Sequence, residues 1–132
     1  MSYRYLLPIT GLLGVSGVAL GAFGAHALHD GLLARGMLEA WKTAVNYHLM
    51  HTAALLAVSL WLQGRSQKSP RLAGAAWAWI LGVVLFSGSL YGLALGGPRL
   101  LGPVTPLGGL AFIVGWVLVL VEGLKPPARS DA

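Results

Sequence analysis

Four long apolar stretches, residues 6–28, 43–62, 72–95 and 104–124, occupy most of this 132-residue chain and constrain its fold more than any other feature. Each is close to the ~20 residues that a helix needs to cross the hydrocarbon core of a bilayer. The stretches contain no Asp, Lys or Arg, and their only Glu lies near the end of the fourth. We therefore predict an all-α membrane protein, in which residues 1–132 form a single domain of four antiparallel transmembrane helices.

The composition agrees with a bilayer as the surrounding solvent. Charged residues make up 10% of the chain, against about 25% in ordinary soluble domains. The net charge of +5 comes from basic residues at the ends of the apolar stretches, where lipid headgroups lie. We therefore expect membrane lipids, and not nucleic acid, as partners. The lack of cysteine excludes disulfides and thiolate metal sites.

The start of the chain has a second interpretation, as a secretory signal peptide. Arg4 would supply its basic region, and Ala25-His26-Ala27 resembles an A-x-A cleavage site. The apolar run is longer, however, than the ~7–15 residues usual in the core of a signal peptide. We therefore expect the first stretch to be retained as a span.

The positions of Lys and Arg predict the orientation in the membrane. With a crossing at each stretch, the basic residues divide into Arg4, Arg65, Lys68, Arg71, Lys125 and Arg129 on the side of both termini, and Arg35, Lys42 and Arg99 on the other. An excess of basic residues marks the cytoplasmic side, so both termini are predicted to be cytoplasmic. Residues 30–40 are predicted to form a short interfacial helix, and residues 126–132 a disordered tail.

The spacing of glycine predicts how the helices pack. Two sets each fall on one helix face: Gly14, Gly17, Gly21 and Gly24 in the first stretch, and Gly88, Gly92 and Gly96 in the third. Lipid provides no hydrophobic drive between helices, so close approach over small residues is a main source of packing energy. We therefore expect the first and third spans to pack together, or one glycine stripe to form a homo-oligomer.

Polar side chains within the apolar stretches are the candidates for function, because polar groups at such depth are costly. They are His26, Tyr47, His48, His51, Ser87, Ser89, Tyr91 and Thr105. A rise of ~1.5 Å per residue puts His51 near the bilayer midplane and most of the others in the outer half. These residues are predicted to line an outer-leaflet pocket for a small ligand, lipid or ion.

Two HxxH pairs, His26/His29 and His48/His51, raise the question of a metal or haem site. Residues three apart share a helix face, and imidazole binds several transition metals and haem. The depth estimate separates His26 from His51 by about 13 Å, however, so both cannot bind one ion. We therefore expect no metal and no cofactor. Hydrogen bonds across helices, for instance to Ser87 or Ser89, are the favoured role for the second pair.

Several motifs extend along nearly the whole chain: GAFGAHAL at residues 21–28, WKTAVNY at 41–47 followed by His51, FSGSLY at 86–91, TPLGG at 105–109 and GW at 115–116. In these motifs the chain resembles a family of small four-span membrane proteins known only as a domain of unknown function, with members in bacterial inner membranes and relatives in mitochondria. The resemblance implies a four-helix fold and brings no activity, substrate or cofactor. It also implies that His26 and His51 belong to the family pattern, whereas a basic residue is usual at His29 and Gln at His48.

For function, the first hypothesis is a non-enzymatic membrane protein that holds a small ligand, lipid or ion in its polar pocket. An enzyme is not expected, because the core offers neither a carboxylate base, nor a thiol, nor a nucleophile paired with a base. An accessory or assembly subunit of a larger membrane complex is the second hypothesis. A metal- or haem-binding redox component is the third.

Overall fold

The computed structural model describes residues 3–64 and 68–126, which form helices and short connections. After a 3-10 turn at Tyr3–Tyr5, the helices are α1 (Leu6–Ala25), α2 (His29–Ala34), α3 (Leu38–Gly64), α4 (Pro70–Gly82), α5 (Gly88–Ala94) and α6 (Val104–Gly123). A five-residue π turn, Val83–Ser87, continues α4 directly into α5, and a 3-10 turn at Arg99–Leu101 precedes α6. The all-helical prediction is confirmed, since the described residues contain no strand.

The helix boundaries differ from the prediction mainly after the first stretch. α1 ends at Ala25, and the single interfacial helix predicted at residues 30–40 is replaced by the six-residue α2 and a turn at Gly36. Gly36 has a φ of +66°, which glycine adopts without a steric penalty. As a result α3 begins at Leu38, earlier than predicted, and is 27 residues long. The predicted disordered tail lies outside the described residues, apart from Pro126.

Three described helical segments are long and apolar enough to cross a bilayer: Tyr3–Ala25, Pro70–Ala94 and Arg99–Gly123. α3 is longer than these three and is not among them, because its histidines, its Asn46 and its charged first turn lower its mean hydropathy. Four polar residues of α3 are buried against the other helices, namely His48, His51, Thr52 and Ser59, and the Trp41 ring is buried as well. The polar residues nearer the beginning of α3, including Lys42 and Asn46, are exposed.

α3 is the central helix of the bundle. It packs along α1 on one side and contacts α4, the π turn and α5 on the other, and α6 packs against α4 and the π turn. The glycine face of α1 receives side chains of α3. A Cβ on Gly17 would overlap Leu49, and a Cβ on Gly24 would overlap the Trp41 indole, with Gly21 lying between them. α1 therefore packs on α3 and not, as expected, on the helix of the third apolar stretch.

The other predicted packing glycines have different roles. Gly14 makes only an ordinary contact with α3. Gly88 is exposed, and Gly92 packs against Leu101 in the turn before α6. Gly96 has a φ of +86° and lies in the turn that follows α5. The prediction for this glycine stripe is therefore corrected: Gly92 and Gly96 shape the connection to α6, and none of the three glycines forms an interface with another helix among the described residues.

Close approach of α6 to the preceding span depends on glycines that the sequence analysis did not select. A Cβ on Gly108 would overlap the backbone of Phe86 in the π turn, and a Cβ on Gly115 would overlap the indole of Trp79. Gly82 makes room in the same way for an aromatic ring of α6. A π turn carries one residue more than an α turn and so bulges. Gly108 therefore lies where this bulge meets α6.

Glu122 joins the beginning of α4 to the end of α6. Its carboxylate accepts a hydrogen bond from Ser69 Oγ at 2.7 Å and forms ion pairs with Lys125 at 2.5 Å and Arg71 at 3.6 Å. Ser69 is also the N-cap of α4, since its Oγ accepts a hydrogen bond from the Leu72 N–H. These contacts join α4 to α6 at the end of the bundle where the N-terminus lies.

Candidate functional site

His51 lies in an aromatic enclosure between α3 and α6. Its imidazole stacks on Phe112 with ring centroids 3.7 Å apart, and Tyr47, Trp79 and Trp116 surround it. Its Nδ1 is 2.8 Å from the Tyr47 carbonyl oxygen, and the Trp116 indole N–H donates to its Nε2 at 3.0 Å. A carbonyl only accepts and an indole N–H only donates. The two bonds therefore select the neutral Nδ1–H tautomer, and both ring nitrogens are paired.

His48 links three helices through the opposite tautomer. Ser16 Oγ on α1 donates to the Leu13 carbonyl at 3.2 Å and lies 3.4 Å from His48 Nε2. The Tyr91 hydroxyl on α5 lies 3.0 Å from His48 Nδ1. Because the single hydroxyl hydrogen of Ser16 is directed at Leu13, Ser16 accepts from Nε2–H, and Tyr91 donates to Nδ1. A directional chain of hydrogen bonds thus runs from α5 through α3 to α1.

Three of the predicted hydroxyl residues form hydrogen bonds that connect the π turn to α3 and α5 to α6. Ser87, in the π turn, donates to the Ala44 carbonyl of α3 at 2.7 Å. Ser89 and Thr105 share a hydrogen bond of 2.6 Å that joins α5 to the first turn of α6. The expected hydrogen bonding of the histidines across helices is present, but its partners are not the predicted Ser87 and Ser89. We call the whole hydrogen-bonded set the polar frame: Ser16, His48, His51, Ser87, Ser89, Tyr91, Thr105 and Trp116.

Two predicted site residues stand apart from the polar frame. His26 follows the end of α1 and is exposed. Tyr47 is 40% exposed and contributes its ring and its carbonyl oxygen to the enclosure of His51. The members of the second HxxH pair face different helices, since His48 contacts α1 and α5 and His51 contacts α6. No group of three or more His, Asp or Glu that could hold a metal ion occurs in the described parts of the chain.

A groove of about 350 Å³ opens between the end of α1 and the beginning of α3, and none of the polar residues predicted to line a ligand pocket is among its lining residues. We call it the α1–α3 groove; its lining residues are Gly21, Gly24, Ala25, His29, Leu38, Trp41, Lys42, Val45 and Asn46. Trp41 is rigidly held, because it packs on Gly24 and its indole N–H donates to the Leu20 carbonyl at 2.9 Å. The groove therefore has an apolar wall of fixed shape beside three polar side chains.

The polar side chains of the groove differ in how far the protein satisfies them. Lys42 Nζ forms an exposed ion pair with Glu39 at 2.8 Å, and His29 Nδ1 pairs with Asp30 at 3.1 Å. Asn46 is exposed, and its amide has no hydrogen-bond partner among residues 3–64 and 68–126. Free donor capacity is thus found in the groove, whereas the histidines of the polar frame are fully paired.

Sequence reasoning missed several residues of both regions. Ser16 is not among the polar residues predicted from the sequence, and Trp116 enters the prediction only as part of a motif. Lys42 enters the prediction only as a marker of membrane orientation, and Asn46 only as part of the WKTAVNY motif. The four-residue spacing of Lys42 and Asn46 could have identified them as a pair, because it puts both side chains on one helix face.

Comparison with known proteins identifies relatives of this chain. Residues 20–109 match the family model described as "Protein of unknown function (DUF423)". The chain is 42% identical over 108 residues to the UPF0382 membrane protein YwdK of Bacillus subtilis, and the aligned region covers 82% of this chain and 86% of the relative. It is 40% identical over 127 residues to the UPF0382 inner membrane protein YgdD of Escherichia coli, and this aligned region covers 95% of the chain and 93% of the relative. No solved structure is significantly similar to the chain.

Proposed function

This chain belongs to the DUF423 family, and from that premise we propose that it is a multi-pass protein of the bacterial inner membrane with four spans and both termini in the cytoplasm. The length of α3 supports the fourth span, since its 27 residues extend about 40 Å and exceed the ~30 Å hydrocarbon core. Its burial supports it as well. The histidines of α3 are covered by other helices, while apolar residues such as Met50, Leu56 and Leu60 are exposed.

We further propose that the protein binds a small amphiphilic molecule in the α1–α3 groove and catalyses no reaction. The observation that carries this proposal is the contrast between the two polar regions. The histidine nitrogens of the polar frame are used by the protein itself, so a ligand there would have to break hydrogen bonds between helices. In the groove, the free amide of Asn46 lies beside an apolar wall that includes Trp41 and Val45. An amphiphile matches both surfaces.

Filling the groove tests this proposal. Ala25 is exposed at the end of α1 and lines the groove, so Ala25→Phe should occupy part of its volume. Ala22 is exposed on the same helix and does not line the groove, which makes Ala22→Phe a matched control. We expect native mass spectrometry of protein extracted in a mild detergent to detect a bound amphiphile on the wild type and Ala22→Phe, and to detect its loss from Ala25→Phe. Equal occupancy in all three proteins would refute binding in the groove.

An accessory subunit of a larger membrane complex is the second candidate function. It is favoured by the outer face of α1, where Leu12, Val15 and Val18 are exposed and would contact lipid or a partner helix. Native electrophoresis after extraction into lipid nanodiscs should then detect a complex larger than one chain. Val15→Trp should weaken that complex, whereas a single-chain species in the wild type would argue against this function.

A further inference from the structure

We propose that the α1–α3 groove recognises the phosphate of a phospholipid headgroup, with Lys42 and Asn46 as the donors. This inference rests on the proposed function, in which the groove holds an amphiphile, and names the chemical class of that amphiphile. Three properties of the groove carry it: its depth along α3, the unused donors on its polar side, and the apolar surface beside them.

The depth of the groove matches that of lipid phosphates. The 27 residues of α3 extend about 40 Å, close to the ~40–45 Å of a whole bilayer including its headgroups. Lys42 lies four residues after the first residue of α3 and Asn46 eight residues after it, which is about 6 and 12 Å along the axis. With α3 centred in the bilayer, the ~30 Å hydrocarbon core begins about 5 Å from its first residue, so Lys42 lies at the boundary between headgroups and hydrocarbon and Asn46 about 7 Å inside it.

Lys42 and Asn46 offer donors that the protein does not use. Residues four apart on a helix are neighbours, about 5–6 Å apart at Cβ, so one phosphate can bridge them. The Lys42 ammonium carries three donors, and one of them is directed at Glu39. That partner has a side chain 84% exposed, and exposed ion pairs of this kind are weak. Asn46 carries two amide hydrogens without a partner in the described residues, and lipid tails cannot accept them.

The apolar side of the groove suits the rest of a phospholipid. Trp41 packs on Gly24 and closes the bottom of the groove, and the partly exposed Leu38 and Val45 with the exposed Ala25 form its accessible apolar surface. A second copy of this chain is a poorer occupant, because a symmetric contact at this groove would bring Lys42 against Lys42. An uncharged amphiphile would offer the ammonium of Lys42 no acceptor of opposite charge.

A lipid titration tests the inference on the full chain. Delipidated protein in an uncharged detergent is titrated with dioleoylphosphatidylglycerol, dioleoylphosphatidylethanolamine and dioleoylglycerol, and one-to-one complexes are quantified by native mass spectrometry. Both phospholipids should bind about tenfold or more tightly than the diacylglycerol, because hydrogen bonds to a charged group are among the strong ones. Lys42→Gln and Asn46→Leu should each weaken phospholipid binding by about tenfold. Lys42→Arg should retain it, and Arg99→Gln, on the same side of the membrane, should leave it unchanged.

The outcomes separate this inference from the proposed function on which it rests. If diacylglycerol binds as well as the phospholipids and Lys42→Gln has no effect, phosphate recognition is wrong while amphiphile binding stands. If no lipid binds and Ala25→Phe changes nothing, both fail. Lys42→Glu serves as a second variant, since it keeps a helix-forming charged residue and should abolish the preference for phosphate by repulsion. A dimer that added phospholipid does not dissociate would identify a second copy as the occupant and overturn the inference.

Discussion

Replacing Gly108 with alanine should force α6 away from the π turn and destabilise the protein. The added Cβ would lie 2.7 Å from the Cα of Phe86, whereas carbon atoms pack at about 3.5–4 Å. A rotamer change cannot relieve this contact, because the obstacle is backbone. The helices must therefore separate by about 1 Å, and insertion of a methyl group into a close-packed site costs about 1–3 kcal/mol. The shift would also loosen the contact of Trp79 with Gly115.

Gly109 provides the matched control, because a Cβ there would make only an ordinary contact, 3.8 Å from the Phe86 ring. Both substitutions change helix propensity equally, so the difference between the two variants isolates the overlap. We expect Gly108→Ala to lower the free energy of unfolding by about 1–3 kcal/mol relative to Gly109→Ala, or roughly one to two decades in the equilibrium constant. The assay is reversible unfolding in mixed micelles, followed by tryptophan fluorescence. Equal stability of the two variants would refute the close contact between α6 and the π turn.

Three further variants test the polar contacts by the same unfolding assay. His51→Leu removes the acceptor of the Trp116 N–H and should lower the free energy of unfolding by about 1–2 kcal/mol. Trp116→Phe should lower it by no more than this, and the double variant should lose less than the sum of the two single losses. Tyr91→Phe removes one donor to His48 and should cost about 0.6 kcal/mol, the average for such bonds between membrane helices; no change would contradict the hydrogen-bond chain. Glu122→Gln should destabilise the protein more at low salt than at high salt, because partly exposed ion pairs are screened; a salt-independent loss would contradict that ion-pair role.

The sequence predicted where the helices lie better than which helices touch. Hydropathy is a property of one segment, so α6 begins at Val104 as predicted. A glycine stripe marks a close-packing face but does not identify the helix that covers it. The partner of Gly24 proved to be Trp41 on α3, because a large ring fills the space above a missing side chain. The turn at Gly36 was missed for a related reason, since its positive φ separates segments whose apolar periodicity alone suggested one helix.

The hydrogen bonding of the two α3 histidines was predicted in kind and not in its partners, whereas the pocket predicted from the same polar residues stays a prediction. Deep histidines in an apolar helix require hydrogen bonds, and both ring nitrogens of His48 and His51 have them. The partner Ser16 is 32 residues from His48, and Trp116 is 65 residues from His51. Such pairings depend on how the helices are arranged, and no local pattern encodes them. The π turn is similar, because its bulge is accommodated by Gly108 on another helix.

The two polar regions should respond in opposite ways to loss of a single polar side chain. In a bilayer, a polar group that finds a protein partner adds to stability, and one that finds none must take its partner from lipid or ligand. His51 belongs to the first class, so His51→Leu should lower stability and leave phospholipid affinity unchanged. Asn46 belongs to the second, so Asn46→Leu should weaken phospholipid binding without lowering the free energy of unfolding in lipid-free micelles. If both variants changed both quantities together, the separation between a structural frame and a binding groove would be wrong.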